Sequence, residues 1–128
     1  MKEQELFDWL KTYHFKDLER SPNEYDGFDC MTKEFKLFIE LKSRNTHYDT
    51  LLLEKKKYDF LIDTAKDLGM YAWYINSTPA GIYGFALRPD LELKWEEKWL
   101  PSTTEFVNKS KMTKTVTFLK VEDGVKLL

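Results

Sequence analysis

Residues 25–42, YDGFDCMTKEFKLFIELK, decide the fold. Two short strand-like runs, Tyr25 to Met31 and Phe35 to Leu41, flank a polar turn at Thr32 to Glu34 and predict a hairpin. Leu37 to Leu41 is apolar enough for a central strand. Side chains alternate along a strand, so Glu40 and Lys42 share one face and Leu41 points to the other. An acid closing so apolar a strand costs desolvation unless it is paired or metal-bound. Asp26 precedes Glu40 by 14 residues, a distance over which a hairpin brings its two ends together. Asp26, Glu40 and Lys42 are therefore expected to meet at one edge of a sheet.

Working outward, Leu6, Phe7, Leu10 and Tyr13 or His14 recur at helical spacing and predict an amphipathic helix from Lys2 to about His14. Ser21, Pro22 and Asn23 then signal a turn. On the other side, Ser43 to Thr50 reads as a loop, and Leu51 to Leu53 as a brief strand or the first turn of a helix. Tyr58, Leu61, Ile62, Ala65 and Leu68 repeat with a 3.6-residue period and predict a helix over Glu54 to Leu68, with Gly69 as its C-cap. Strands are expected at Met70 to Ile75, Ile82 to Leu87 and Thr115 to Val121, with a turn over Asn76 to Gly81. Leu91 to Trp99 is open between a strand and a short helix, and on a helix Trp95 and Trp99 would align. Tyr71 and Trp73 read as sheet packing. The order helix, strands, helix, strands gives an α/β (α+β) class, with a central sheet and flanking helices.

The chain has 128 residues, 20 Lys+Arg against 22 Asp+Glu, five glycines and four prolines, which suits one domain over residues 1–128 and excludes collagen-like and Pro-rich disordered classes. One cysteine, Cys30, and two histidines exclude an intramolecular disulfide and a zinc-finger framework, and the expected setting is reducing and cytoplasmic. No stretch approaches the roughly 18 apolar residues that cross a bilayer, and acids interrupt the N-terminal segment where a signal peptide would be apolar; no membrane partner is expected. The net charge of −2 argues against a nonspecific basic coat but permits a local basic rim. Acids indeed outnumber bases nine to five over residues 1–34, and Lys42, Arg44 and Lys55 to Lys57 follow.

Two carboxylates with an ammonium beside them suit a hard divalent cation such as Mg²⁺, for which Mn²⁺ substitutes. Asp26, Glu40 and the backbone carbonyl of Leu41 would be its oxygen ligands. Such a cation would polarise a phosphoryl oxygen, while Lys42 orients the attacking water and offsets transition-state charge. The plainer alternative is a turn aspartate before Gly27 and an exposed Glu40–Lys42 pair on an edge strand.

In order and spacing, Tyr25-Asp26 followed by Glu40-Leu41-Lys42 resembles the PD-(D/E)XK nuclease superfamily of restriction-endonuclease-like and Holliday-junction-resolvase-like proteins. The resemblance implies a restriction-endonuclease-like core with a central mixed β-sheet, metal-dependent DNA hydrolysis leaving a 5′-phosphate, and a homodimer or larger complex acting on double-stranded or branched DNA. It implies a further acid from the first helix, here Glu3 or Glu5, and a lysine early in the helix after the motif, here among Lys55, Lys56 and Lys57. Tyr25 stands where the signature has proline, and the family's first strand is hard to find between Phe15 and Glu24.

Next to the motif, Arg44 and Asn45 are placed to contact a phosphate backbone and Tyr48 to stack on a base, against the alternative of an ordinary polar loop. Lys109, Ser110, Lys111 and Lys114 form a mildly basic stretch better explained by a solvated hairpin. The rival to a nuclease is an inactive nucleic-acid-binding or structural accessory protein of the same fold.

Overall fold

The apolar run before Glu40 becomes the middle of β3 (Leu37–Ser43), which pairs antiparallel with β2 (Phe28–Thr32) and parallel with β5 (Tyr71–Thr78). The computed structural model describes residues 1–22, 27–101 and 111–128. The β2–β3 turn is anchored from outside the hairpin. Asp17 accepts hydrogen bonds from Thr32 Oγ1 at 2.5 Å and from the Glu34 amide at 2.9 Å, and these hold its carboxyl below the usual range. Lys36 closes the turn at a positive φ of 56°, with its amide on the Lys33 carbonyl.

The chain opens with α1 (Glu3–Tyr13), whose Leu6, Phe7 and Leu10 are buried. A two-residue strand, β1 (Glu19–Arg20), pairs with β2; it is the element that the sequence pattern concealed. Because β3 and β5 are parallel, the chain must cross over between them. The crossover carries β4 (Thr50–Glu54) and α2 (Lys55–Leu68). Gly69 ends α2 in the left-handed conformation at φ 68°, as its position predicts. β5 runs on to Thr78, so the expected turn over Asn76 to Gly81 contracts to two residues before β6 (Gly81–Leu87).

The ambiguous segment, Leu91 to Trp99, has no regular structure over residues 91–95 and enters a strand only at Glu96: β7 (Glu96–Pro101) pairs with β8 (Lys111–Lys120), which is longer than the expected Thr115 to Val121. Trp95 and Trp99 do not share a helix. Trp95 packs against Tyr58 at 5.3 Å between ring centroids, and Trp99 is 66% exposed. A 3₁₀ turn at Val121–Asp123 leads to the short β9 (Val125–Lys126). The strands form two sheets instead of one: a six-stranded mixed sheet ordered β1-β2-β3-β5-β6-β9 and a three-stranded sheet ordered β4-β8-β7.

Each face of the larger sheet carries its own core. Leu6, Phe7 and Leu10 of α1 pack with Cys30, Ile39, Leu41 and Ile75 on one face. Leu61 and Ala65 of α2, with Leu51, Leu53 and Leu119 of the second sheet, pack against Phe38, Ala72, Tyr74 and Phe85 on the other. Fully burying one such leucine or phenylalanine stabilises by about 1.5–3 kcal/mol. Tyr71, expected to pack within the sheet, is exposed at the start of β5. Among the described residues no helix is long and apolar enough to cross a membrane.

Candidate active site

Two-residue alternation puts Phe38, Glu40 and Lys42 on the α2 side of β3, and Ile39 and Leu41 on the α1 side. Register then names the neighbours. Glu40 is the Cα partner of Asp29 on β2 and of Tyr74 on β5, while Lys42 is the partner of Asn76. Directly opposed residues share a face, so Asp29, Glu40, Tyr74, Lys42 and Asn76 all lie on the side covered by α2.

The two acids are deeply buried, Asp29 at 4% and Glu40 at 3% exposure. Burial is the main cause that pushes the Glu40 carboxyl above the usual carboxylate range. Asp29 beside it adds to the rise, and Lys57 offsets part of it. Lys57, on the first turn of α2, brings its ammonium to 3.5 Å from Glu40 Oε1. Gly27 closes the pair from above. Its φ is 95°, and a Cβ there would lie 2.5 Å from Glu40 Oε1 and 3.0 Å from Lys57 Nζ, so only glycine lets the backbone approach so closely.

Asp29 Oδ1 and Glu40 Oε2 are buried and have no hydrogen-bond partner among the described residues. Two opposed carboxylates with unsatisfied oxygens form a donor set that fits a hard divalent cation. Among the described residues no group of three or more acids, histidines or cysteines gathers in a metal-holding arrangement.

Next to the carboxylates lies a polar network. Arg44, immediately after β3, donates from Nε to Asn76 Oδ1 at 2.7 Å, and from Nη2 to the Leu52 carbonyl at 2.6 Å and the Tyr74 hydroxyl at 3.0 Å. Burial pushes the Tyr74 phenol up to about 12, so it stays a hydroxyl and donates to the Leu52 carbonyl at 3.2 Å. The loop after Arg44 is pinned by His47 Nδ1 against Thr78 Oγ1 at 2.9 Å.

Of the residues singled out in the sequence, Glu40 and Lys42 share a face as expected, and Asp26 lies outside the described residues. Leu41 sits between Phe28 and Ile75 with its side chain in the α1-side core. Glu3 and Glu5 belong to a helix on the opposite face of the sheet. Glu5 accepts the Lys2 amide at 2.9 Å, and no hydrogen bond or ion pair joins either acid to Asp29 or Glu40. Lys57 is the lysine of its run that turns inward; Lys55 pairs with Asp59 at 3.0 Å, and Lys56 is exposed. Arg44 is engaged with interior acceptors, whereas Asn45 and Tyr48 are exposed. Lys109 and Ser110 lie outside the described residues.

Asp29 and Asn76 are the residues that sequence reasoning missed. For Asp29 the signal was present. A four-residue turn over residues 33–36 makes Thr32 face Leu37, and counting back three pairs reaches Asp29 opposite Glu40.

No known protein family matches the sequence, and no curated protein matches it. Among solved structures the chain is similar to Archaeoglobus fulgidus Hjc, a Holliday junction resolvase from an archaeal hyperthermophile, with a TM-score of 0.61 and 18% identity. The match covers 98% of this chain and 88% of that one. The restriction-endonuclease-like, resolvase-like fold expected from the motif is thus the fold of this protein: a central mixed sheet with a helix on each face.

Proposed function

We propose that the chain is a divalent-metal-dependent nuclease that hydrolyses phosphodiester bonds in DNA, with branched DNA such as a four-way junction as its substrate. The observation that carries the proposal is the in-register Asp29–Glu40 pair, buried, with one unsatisfied oxygen on each carboxylate. The resolvase fold supports DNA as the partner. A four-way junction presents two equivalent strands, which suits a homodimer with one site per copy.

In this proposal Asp29 and Glu40 hold the cation, Mg²⁺ or Mn²⁺ in its place, with Asp26 and the Leu41 carbonyl as further candidate ligands. The cation, when bound, supplies Lewis-acid activation of water and charge neutralisation at the phosphate. Lys42, half-buried on the same face, holds the attacking water by hydrogen bonding and offsets the negative charge that grows on the phosphoryl oxygens. Lys57 balances the carboxylates before substrate arrives and offers its ammonium to a phosphate oxygen afterwards. Water attacks phosphorus, the P–O bond to the 3′ oxygen breaks, and the products carry a 3′-hydroxyl and a 5′-phosphate. Glu3 or Glu5 would join this site only by reaching round the sheet edge from α1.

Cleavage of a labelled four-way junction and of a linear duplex in Mg²⁺ tests the proposal. The expected result is product from the unmodified protein and none from Glu40→Gln or Lys42→Ala, with binding retained. Absence of cleavage by the unmodified protein in both Mg²⁺ and Mn²⁺ would instead leave an inactive DNA-binding protein of the same fold.

A further inference from the structure

All three unsatisfied buried side-chain atoms among the described residues lie on one face of the central sheet. Two are the carboxylate oxygens of Asp29 and Glu40, and the third is Nδ2 of Asn76 on β5. Asn76 has no solvent exposure, and it is the direct parallel-strand partner of Lys42. Burying an amide with an unpaired N–H₂ costs its full desolvation, so the position calls for a partner. Asn76 is also not free to turn. Its Oδ1 accepts from Arg44 Nε at 2.7 Å, and Arg44 is itself held by the Leu52 carbonyl and the Tyr74 hydroxyl. Flipping the amide would set N–H₂ against a guanidinium that only donates, so the network fixes which end of the carboxamide carries the unused donors.

We propose that Asn76 is a catalytic residue that donates a hydrogen bond from Nδ2 to a non-bridging oxygen of the scissile phosphate. The proposal rests on the nuclease function set out above and adds to it a neutral donor. Two carboxylates repel the phosphate they must act on, and Lys42 offers a single compact charge with rotatable donors. A carboxamide locked at its oxygen by Arg44 supplies a fixed, uncharged donor one strand away from Lys42. It needs no reorganisation as negative charge develops on the phosphoryl oxygens, which is the condition under which such donors contribute most.

The test combines a spectrum of the unmodified protein with a variant. In Ca²⁺, with a four-way DNA junction as the probe, the Asn76 side-chain N–H₂ resonances are followed by ¹H–¹⁵N NMR. The expected result is a downfield shift of one of the two protons on DNA binding. An unmoved resonance in the DNA-bound protein overturns the inference whether or not the protein cleaves. Asn76→Asp keeps an oxygen for Arg44 and removes the donor. It is expected to lower kcat by about 10²-fold, the loss typical of one preorganised donor, with KM changed only a few-fold. Equal kcat for Asn76→Asp and the unmodified protein likewise overturns the inference, while leaving the nuclease function standing. Absence of Mg²⁺-dependent cleavage by the unmodified protein overturns the nuclease function and with it a catalytic role for Asn76, whereas cleavage with an unmoved resonance or an unchanged kcat overturns the Asn76 assignment alone.

Discussion

Replacing Glu40 with glutamine should make the metal-free protein more stable at neutral and alkaline pH even as it removes activity. Glu40 is 3% exposed, faces Asp29 across the β2–β3 ladder, and has its pKa raised chiefly by burial. Its folded-state pKa, pushed up to about 9, lies above the unfolded value of 4.5, so folding takes up a proton between those two values. The Glu40 contribution is thus fully present below pH 4.5 and is lost as pH rises through the folded pKa. One proton of difference corresponds to a slope of about 1.4 kcal/mol per pH unit, so between pH 5 and 7 the loss reaches roughly 3 kcal/mol. Glutamine mimics the protonated carboxyl and lacks this slope. Urea denaturation in EDTA at pH 5, 6, 7 and 8 measures it directly. The two proteins should be within about 1 kcal/mol of each other near pH 5, and Glu40→Gln should lead by a few kcal/mol at pH 8. Parallel pH profiles, or a less stable Glu40→Gln protein at pH 8, would refute the idea that the carboxylate buried here is only partly compensated by Lys57. Mg²⁺ should stabilise the unmodified protein and not the variant, since a ligand that binds only the folded state adds its binding free energy to stability.

Three further outcomes are expected. Asp29→Asn should lower the cleavage rate by more than about 10²-fold, and Asp26→Asn, assayed beside it, should lower it less; the reverse order would move the metal ligand upstream. Gly27→Ala should lower the unfolding free energy measured in urea by about 1–3 kcal/mol, with a lower midpoint, and impair cleavage. Its Cβ would press on Glu40 and Lys57 from a backbone at φ 95°, and an unchanged midpoint would contradict that packing. Lys57→Met should destabilise the metal-free protein more at pH 8 than at pH 5, because the ammonium is 3.5 Å from a buried carboxylate that ionises as pH rises; equal losses at both pH values would count against the ion pair.

The elements with a strong local pattern were legible in the sequence. The α2 period, the Gly69 cap and the apolar run before Glu40 each specify local conformation, and the structure follows them. The Glu40–Lys42 face was legible too, because strand alternation is a local rule. What escaped depends on partners distant in sequence. β1 has two residues and exists through pairing with Met31 and Cys30. The second sheet forms because β8 accepts β4 on one side and β7 on the other, a choice that no local pattern in residues 91–99 contains. Asp29 was passed over, since its place opposite Glu40 depends on a four-residue turn whose closing residue, Lys36, adopts a positive φ without being glycine. Asn76 was hidden in an expected turn that is in fact the second half of β5.

The central claim is that Asp29 and Glu40 hold a divalent cation between strands β2 and β3. Crystals grown with Mn²⁺ and measured at its absorption edge test this most directly. The predicted result is one anomalous peak per chain within about 2–2.3 Å of a carboxylate oxygen from each of Asp29 and Glu40. A peak elsewhere on the chain, or none at saturating Mn²⁺ with Glu40 still paired with Lys57, would contradict it.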